Sequence, residues 1–322
     1  MNKKNRNGRQ GGKSAGRFTP PKITIARELI ERLRNIDLET ADASDLYAIL
    51  TPLFRALKAK LPFLNPGIEL FRGSTRFRSP PQSVVDFEAP PPELCPTNRA
   101  NRAARPLFYC SAGLDPLPLE LGVTEGTLLA IMKYRTNAQL LANRVGYTDQ
   151  TFARLRANRK VPDFYSLDTH NYSDTNVLIM DFLSDVFCES VPKDEQWRYA
   201  LSIAIAEHLI GEDAHPISGL VYPTVPYWGN GDNLALRPEW ARTHLDPVHA
   251  QFIQITSIDE QFNMHYETLD EARSFAPDGT IAWLGHAGAW TLDEAGDSLE
   301  LIAVRGKYFE ARDALGRPID PE

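Results

Sequence analysis

Cysteine is scarce: Cys95, Cys110 and Cys188 are the only three in 322 residues. They are too few and too scattered for a disulfide framework, and none forms a CxxC pair. Zinc ribbons and thioredoxin-type redox chemistry lose support, and a reducing, cytoplasmic setting is expected. Long apolar runs are also missing. No stretch approaches the roughly 18 residues of a membrane span, and the N-terminus lacks the apolar block of a secretory signal, so neither a membrane nor the general export route is expected. The chain has no GxxxxGK[ST], no GxGxxG behind a strand, no HExxH and no GxSxG, which removes several common nucleotide, zinc and serine-hydrolase readings. Its seven histidines are dispersed, so no metal is expected.

What the chain does have is the 43% hydrophobic and 10% aromatic content of a globular protein, long enough for one large domain or two modest ones. The net charge of −7 hides an asymmetry. Residues 1–17 hold Lys3, Lys4, Arg6, Arg9, Lys13 and Arg17 without an acid, leaving 29 basic against 42 acidic groups in the rest. A body that acidic argues against nucleic-acid binding as the main business. Residues 1–20 read as a disordered basic tail, too poor in apolar side chains to fold alone.

Helical spacing of Ile25, Leu29, Leu33 and Ile36, and of Leu46, Leu50, Leu53, Phe54 and Leu57 behind a Ser44 N-cap, predicts a helical segment over 21–64. Strands are predicted from Ile68 to a close at Arg72, over Pro106 to Cys110, and over Leu128 to Tyr134. Between the first two, the prolines from Pro80 to Pro96 read as an irregular connection that could cover a site. Pro116 to Leu121 enters a helix. Another carries Leu201, Ala204, Ile205, His208 and Leu209 on one face and ends at Gly211, ahead of a strand from Gly219 to Tyr222. His208 reads as a core histidine and the GNGD at Gly229 to Asp232 as a turn. Phe252 to Ile255, Ile281 to Trp283 and Leu299 to Val304 read as strands, with turns at Pro277 to Gly279 and Leu315 to Pro318. The class expected is α+β.

Three places carry residues suited to opening a glycosidic bond in a dinucleotide: Phe71 to Gly73, Asn98 to Glu120 and Gly219 to Leu236. Together they supply arginine, tyrosine, a carboxylate and a hydroxyl. Singly, each has a plainer reading: Arg72 as a solvated arginine, Tyr109 as a strand aromatic, Glu120 as a helix-start carboxylate and Thr224 as a turn residue. Their joint occurrence raises the functional reading, and Glu125 is the rival carboxylate.

The set resembles the RES family, named for the Arg, Glu and Ser its members share and known as toxins of bacterial toxin–antitoxin pairs. A "YR" strand end corresponds to Phe71-Arg72. A "GRFNxxGxPxxY" segment corresponds to Asn98-Arg99-Ala100-Asn101, Ala104, Pro106 and Tyr109, with a glutamate eleven residues on as Glu120. An "aGixYPS…NLxL" segment corresponds to Gly219 to Thr224 and Asn233 to Leu236. Thr224 stands where the family has serine, and Asn98 and Ala104 stand where it has glycine.

The resemblance covers roughly residues 65–260 and implies an ADP-ribosyltransferase-like core of two small mixed sheets that binds NAD as substrate. It implies cleavage of the nicotinamide–ribose bond, as a glycohydrolase, phosphorylase or ADP-ribosyltransferase. Glu120 would stabilise positive charge on the ribose, Arg72 would grip the pyrophosphate or a ribose oxygen, and Tyr109 would lie against nicotinamide. Thr224 and Asn233 would orient the substrate, with Arg99, Asn101 and Tyr222 also in contact. An antitoxin is the implied partner. The helices before 65 and a β-rich extension over 261–322 read as inhibitory or homo-oligomerisation elements. The alternative is a RES-fold binding or regulatory module with weak or no turnover.

Overall fold

Helices α1 (Ile23–Arg34) and α2 (Ala43–Ala56) form where the apolar spacing places them, but Asp42 and not Ser44 caps the second. The Asp42 carboxylate accepts from the Ser44 backbone N–H at 2.9 Å, and a negative charge suits a helix N-terminus. The computed structural model describes residues 22–57, 63–162, 173–211, 217–259 and 264–285, and beyond them the backbone of three strands. The basic tail expected at 1–20 and the turn at Leu315 to Pro318 lie outside the described residues.

Helices α5 (Asp174–Phe187) and α6 (Ala200–Ile210) join α1 and α2 in one layer. Eight of the eleven α6 residues are buried, because its sequence is apolar nearly all round and the helix runs through the centre of the layer. It ends at Gly211 as expected. His208 is a packed histidine: its ring stacks on Tyr47 and Phe54, and its nitrogens meet the Ala204 carbonyl and the Thr51 hydroxyl.

Ten strands form the main sheet: β1 (Phe63–Leu64), β2 (Glu69–Ser74), β3 (Phe108–Ser111), β4 (Leu128–Thr136), β5 (Leu140–Arg144), β6 (Gly219–Pro223), β7 (Asp232–Leu236), β8 (Leu245–Ile258), β9 (Met264–Phe275) and β10 (Ile281–Trp283). Their order is β1-β5-β6-β7-β3-β2-β4-β8-β9-β10, with β5 and β6 parallel and the other neighbours antiparallel. The chain is therefore mixed α+β, with one ten-stranded sheet in place of the two small sheets expected. The two five-stranded halves meet through one residue pair, Phe71 with Ser111. Strand β2 runs past Arg72 to Ser74, and β9 and β10 carry the sheet beyond position 260. Strands β11 (Ala289–Glu294), β12 (Asp297–Val304) and β13 (Tyr308–Arg312) make a separate antiparallel sheet.

Each face of the main sheet is covered. Leu220, Tyr222 and Ala235 pack under the four-helix layer, and Leu70, Phe108, Met132, Val221 and Leu234 form a core on the other face. Helix α4 (Asp149–Leu155) adds Phe152 to that second core, and α7 (Pro238–His244) adds Ala241. Helix α3 (Pro116–Leu121) lies on the helix-layer side, over β2, β4 and β8.

Two glycines let α3 sit down on the sheet. A Cβ at Gly231 would come within 2.7 Å of the Pro116 ring, and one at Gly73 within 2.8 Å of the Leu121 side chain. A proline ring cannot swing aside, whereas a leucine end can rotate. Gly231→Ala is therefore expected to destabilise the fold by about 1–3 kcal/mol through overpacking, and Gly73→Ala by less. Thermal melts of the two variants beside the parent check this; equal effects would contradict the seating described.

Candidate active site

Along a strand, side chains alternate between faces, so register decides which of the sequence-selected residues can meet. Tyr109 and Ser111 of β3 stand opposite Ala235 and Asn233 of β7, which stand opposite Leu220 and Tyr222 of β6. All six point to the face that carries the helix layer and α3. Glu120 comes down onto this face from α3, where its carboxylate accepts from Asn233 Nδ2 at 2.7 Å.

Glu120 keeps solvent-accessible surface, yet desolvation raises its carboxyl above the ordinary value, against the lowering effects of Asn233 and the Arg99 charge. Arg99 is close enough for its charge to act on the same carboxyl. Its Nη1 donates to the carbonyls of Phe187 and Glu189 at the end of α5, at 2.5 and 2.8 Å, and its guanidinium lies 5.3 Å from the Tyr199 ring centre. A fixed cation thus stands near Glu120 without closing an ion pair. Tyr222 is buried, and its hydroxyl is pushed far up by burial, with Tyr109 and Glu120 adding to the shift.

Tyr109 has a committed hydroxyl. It donates to Asn101 Oδ1 at 2.7 Å and accepts from the Ala100 N–H at 3.2 Å, and burial raises it beyond proton exchange near neutral pH. Only its ring remains for a ligand. Asn101 is 4% exposed and donates to Pro96 and Arg102 carbonyls and to the Cys95 sulfur, so it braces the loop from within. In the same loop Ala104 holds φ at +61°, a left-handed conformation that costs a residue with a Cβ roughly 1–2 kcal/mol. That is one of the two positions where the family pattern has glycine.

Arg72 does not join them. Its guanidinium lies on the opposite side of the sheet, 4.6 Å from the Phe108 ring centre, donating to the Tyr109 carbonyl at 2.6 Å and the Glu88 carbonyl at 2.9 Å. The expected grouping of Arg72 with Glu120 is corrected by strand alternation: Arg72 shares its face with Leu70 and Met132, not with Phe71. The cation beside Glu120 is Arg99. Its supports, Tyr199 and the end of α5, come from some ninety to a hundred residues away and carry no local signal.

The Pro80 to Pro96 connection is irregular, as expected, but it is no flap over Glu120. It is fastened on the Arg72 side by the buried Phe87 and by bonds from Trp283 Nε1 to the Pro81 carbonyl and from the Ile281 N–H to the Gln82 carbonyl. The GNGD segment is a turn, held by Arg159, which donates to the Gly229 and Gly231 carbonyls and pairs with Asp232. Among the described residues no three His, Cys, Asp or Glu side chains could hold a metal ion together, and no helix is long and apolar enough to cross a membrane. No protein-family model matches the chain, and no curated protein matches it.

Thr224 lies fully buried beneath the first turn of α3, beside Gly231, and its hydroxyl has no hydrogen-bond partner among the described residues. A buried hydroxyl left unmatched costs about 1–3 kcal/mol. Thr224→Val, close in shape, is expected to raise stability by about 1 kcal/mol, measured by chemical denaturation. A loss of stability would mean that the hydroxyl is satisfied in solution.

Proposed function

We propose that this chain cleaves the nicotinamide–ribose bond of NAD, as a RES-like enzyme whose two half-sheets correspond to the core of ADP-ribosyltransferases. The observation that carries the reading is the Glu120 carboxylate held by Asn233 Nδ2 at 2.7 Å on the face that Tyr109 and Tyr222 share, with the Arg99 charge acting on it. As the bond lengthens, its electron pair goes to the pyridinium nitrogen, and nicotinamide leaves neutral while positive charge builds on the ribose. Glu120 stabilises that charge. Arg99, already oriented by carbonyls and the Tyr199 ring, receives the negatively charged diphosphate. The Tyr109 ring supplies a flat wall for a heterocycle. Water, phosphate or a protein nucleophile then forms the new bond to the ribose carbon and gives up its proton. The resemblance further supports a cytoplasmic toxin restrained by a partner protein.

Purified chain incubated with NAD should release nicotinamide. Glu120→Gln, which keeps an acceptor for Asn233, should lower the rate by about a hundredfold or more, and Arg99→Ala should act mainly on turnover. Arg72→Ala should instead lower the melting temperature first. No release above the Glu120→Gln level would overturn the enzymatic reading and leave a binding module.

The pH dependence has a defined sign. Burial holds the Glu120 carboxyl above its ordinary 4.5, so the ionised form is lost at a higher pH than in a free glutamate. The acid limb of kcat/KM is expected above pH 4.5. The fold favours the protonated carboxyl, so this group's contribution to stability is present at low pH and is lost as pH rises through the raised value. Glu120→Gln should therefore melt higher than the parent at pH 7.5, with the gain shrinking toward pH 4. A gain independent of pH would contradict this.

A further inference from the structure

Glu120 stands on two supports, and both rest on the turn over 229–232. Asp232 closes that turn and opens β7; Asn233, whose Nδ2 holds the Glu120 carboxylate at 2.7 Å, follows it directly. Gly231, inside the turn, lies against the Pro116 ring in the first turn of α3, the helix that carries Glu120.

Arg159, from the loop behind α4, clasps this turn. Its Nε donates to the Gly229 carbonyl at 2.7 Å and its Nη2 to the Gly231 carbonyl at 2.9 Å, while Nη1 and Nη2 meet the two Asp232 carboxylate oxygens at 3.2 and 2.5 Å. The Tyr147 hydroxyl donates to the same carboxylate at 2.8 Å, and the Asn158 N–H donates to the Asn230 side chain at 2.7 Å. The Arg159 guanidinium lies 5.5 Å from the Phe152 ring centre. The Arg159 and Asp232 side chains are only 28% and 15% exposed, so water competes weakly for these bonds. A planar fork that engages two carbonyls and both oxygens of a carboxylate fixes orientation as well as distance. Neighbouring strand residues point to opposite faces. Holding the Asp232 carboxylate on one side of the sheet therefore sets the rotation of β7 that aims Asn233 at Glu120 on the other.

We infer that Arg159 is a positioning residue for Glu120: clasping the 229–232 turn from behind the sheet, it aims the Asn233 amide and seats α3, and so places the carboxylate. It acts through other groups, since burial, Asn233 and Arg99 are what act on the Glu120 carboxyl directly. The placement follows from the contacts; its bearing on turnover rests on the NAD reading.

The test is an NMR titration of the full chain with isotope-labelled glutamate carboxyls, the Glu120 resonance being identified by its loss in Glu120→Gln. The Asn233 bond lowers the Glu120 carboxyl, so a misaimed amide lets burial push it further up. Arg159→Gln should raise the Glu120 midpoint above the parent's, in the same direction as Asn233→Ala. Arg159→Lys keeps the charge without the fork and should follow Arg159→Gln. On the NAD reading both variants lower kcat by about tenfold or more with KM changed by less than about threefold, and move the acid limb of kcat/KM to higher pH. If the parent releases no nicotinamide, the NAD reading falls and the carboxyl titration still decides about Arg159. A lower melting temperature with the Glu120 midpoint unmoved would overturn the inference, as would full restoration of the midpoint by Arg159→Lys. If the Arg159 variants do not fold, Tyr147→Phe decides, since it takes one donor from Asp232 and leaves the clasp: it should raise the midpoint, and an unmoved midpoint would overturn the inference.

Discussion

Beyond the pair Phe71 and Ser111, strands β2 and β3 part, and the Tyr109 carbonyl reaches the region where a ladder partner would have stood. Arg72 reaches that carbonyl instead, with the Glu88 carbonyl as its second anchor and the Phe108 ring beneath it. A strand residue has thereby become a staple between two half-sheets. Desolvation of its guanidinium lowers its proton affinity without removing its charge. Arginine suits this task, since a planar fork can serve two carbonyls at once while lying on an aromatic ring. The contact ties β2 to β3 where the two half-sheets part.

On the opposite face, Glu120 carries a raised carboxyl and Thr224, packed under the first turn of the same helix α3, an unmatched hydroxyl. Each costs stability. His208, by contrast, is as polar as these residues but is fully engaged between two rings and two hydrogen bonds. Its burial lowers its proton affinity, which marks a packed side chain and no site.

Local pattern carried much of the element reading. The spacing in α1, α2 and α6, the apolar run of β4 and the helix at Pro116 to Leu121 each follow from residues close in the chain. The pattern did not reveal that α1 and α2 are integral to the main core, or that β9 continues the sheet past 260. Both depend on burial against segments far away in sequence. Strand β5 pairs in parallel with β6 only after α4, α5 and α6 intervene, so its partner is invisible to any local window.

For the candidate site, the resemblance to the RES pattern named Tyr109, Glu120, Tyr222 and Asn233, and the strand register and the α3 contact bring the four to one face. The sequence by itself determined the plain reading of His208, whose position on an apolar helix face is a local property. Only the tertiary structure decided which arginine accompanies the carboxylate. Arg72 and Arg99 are equal as cations on paper, but the first leaves its strand on the far side of the sheet while the second is drawn to the end of α5. Residue order sets which groups exist and how far apart they lie along the chain. Strand register and the docking of distant helices set which of them share a face, and so which of them can act together.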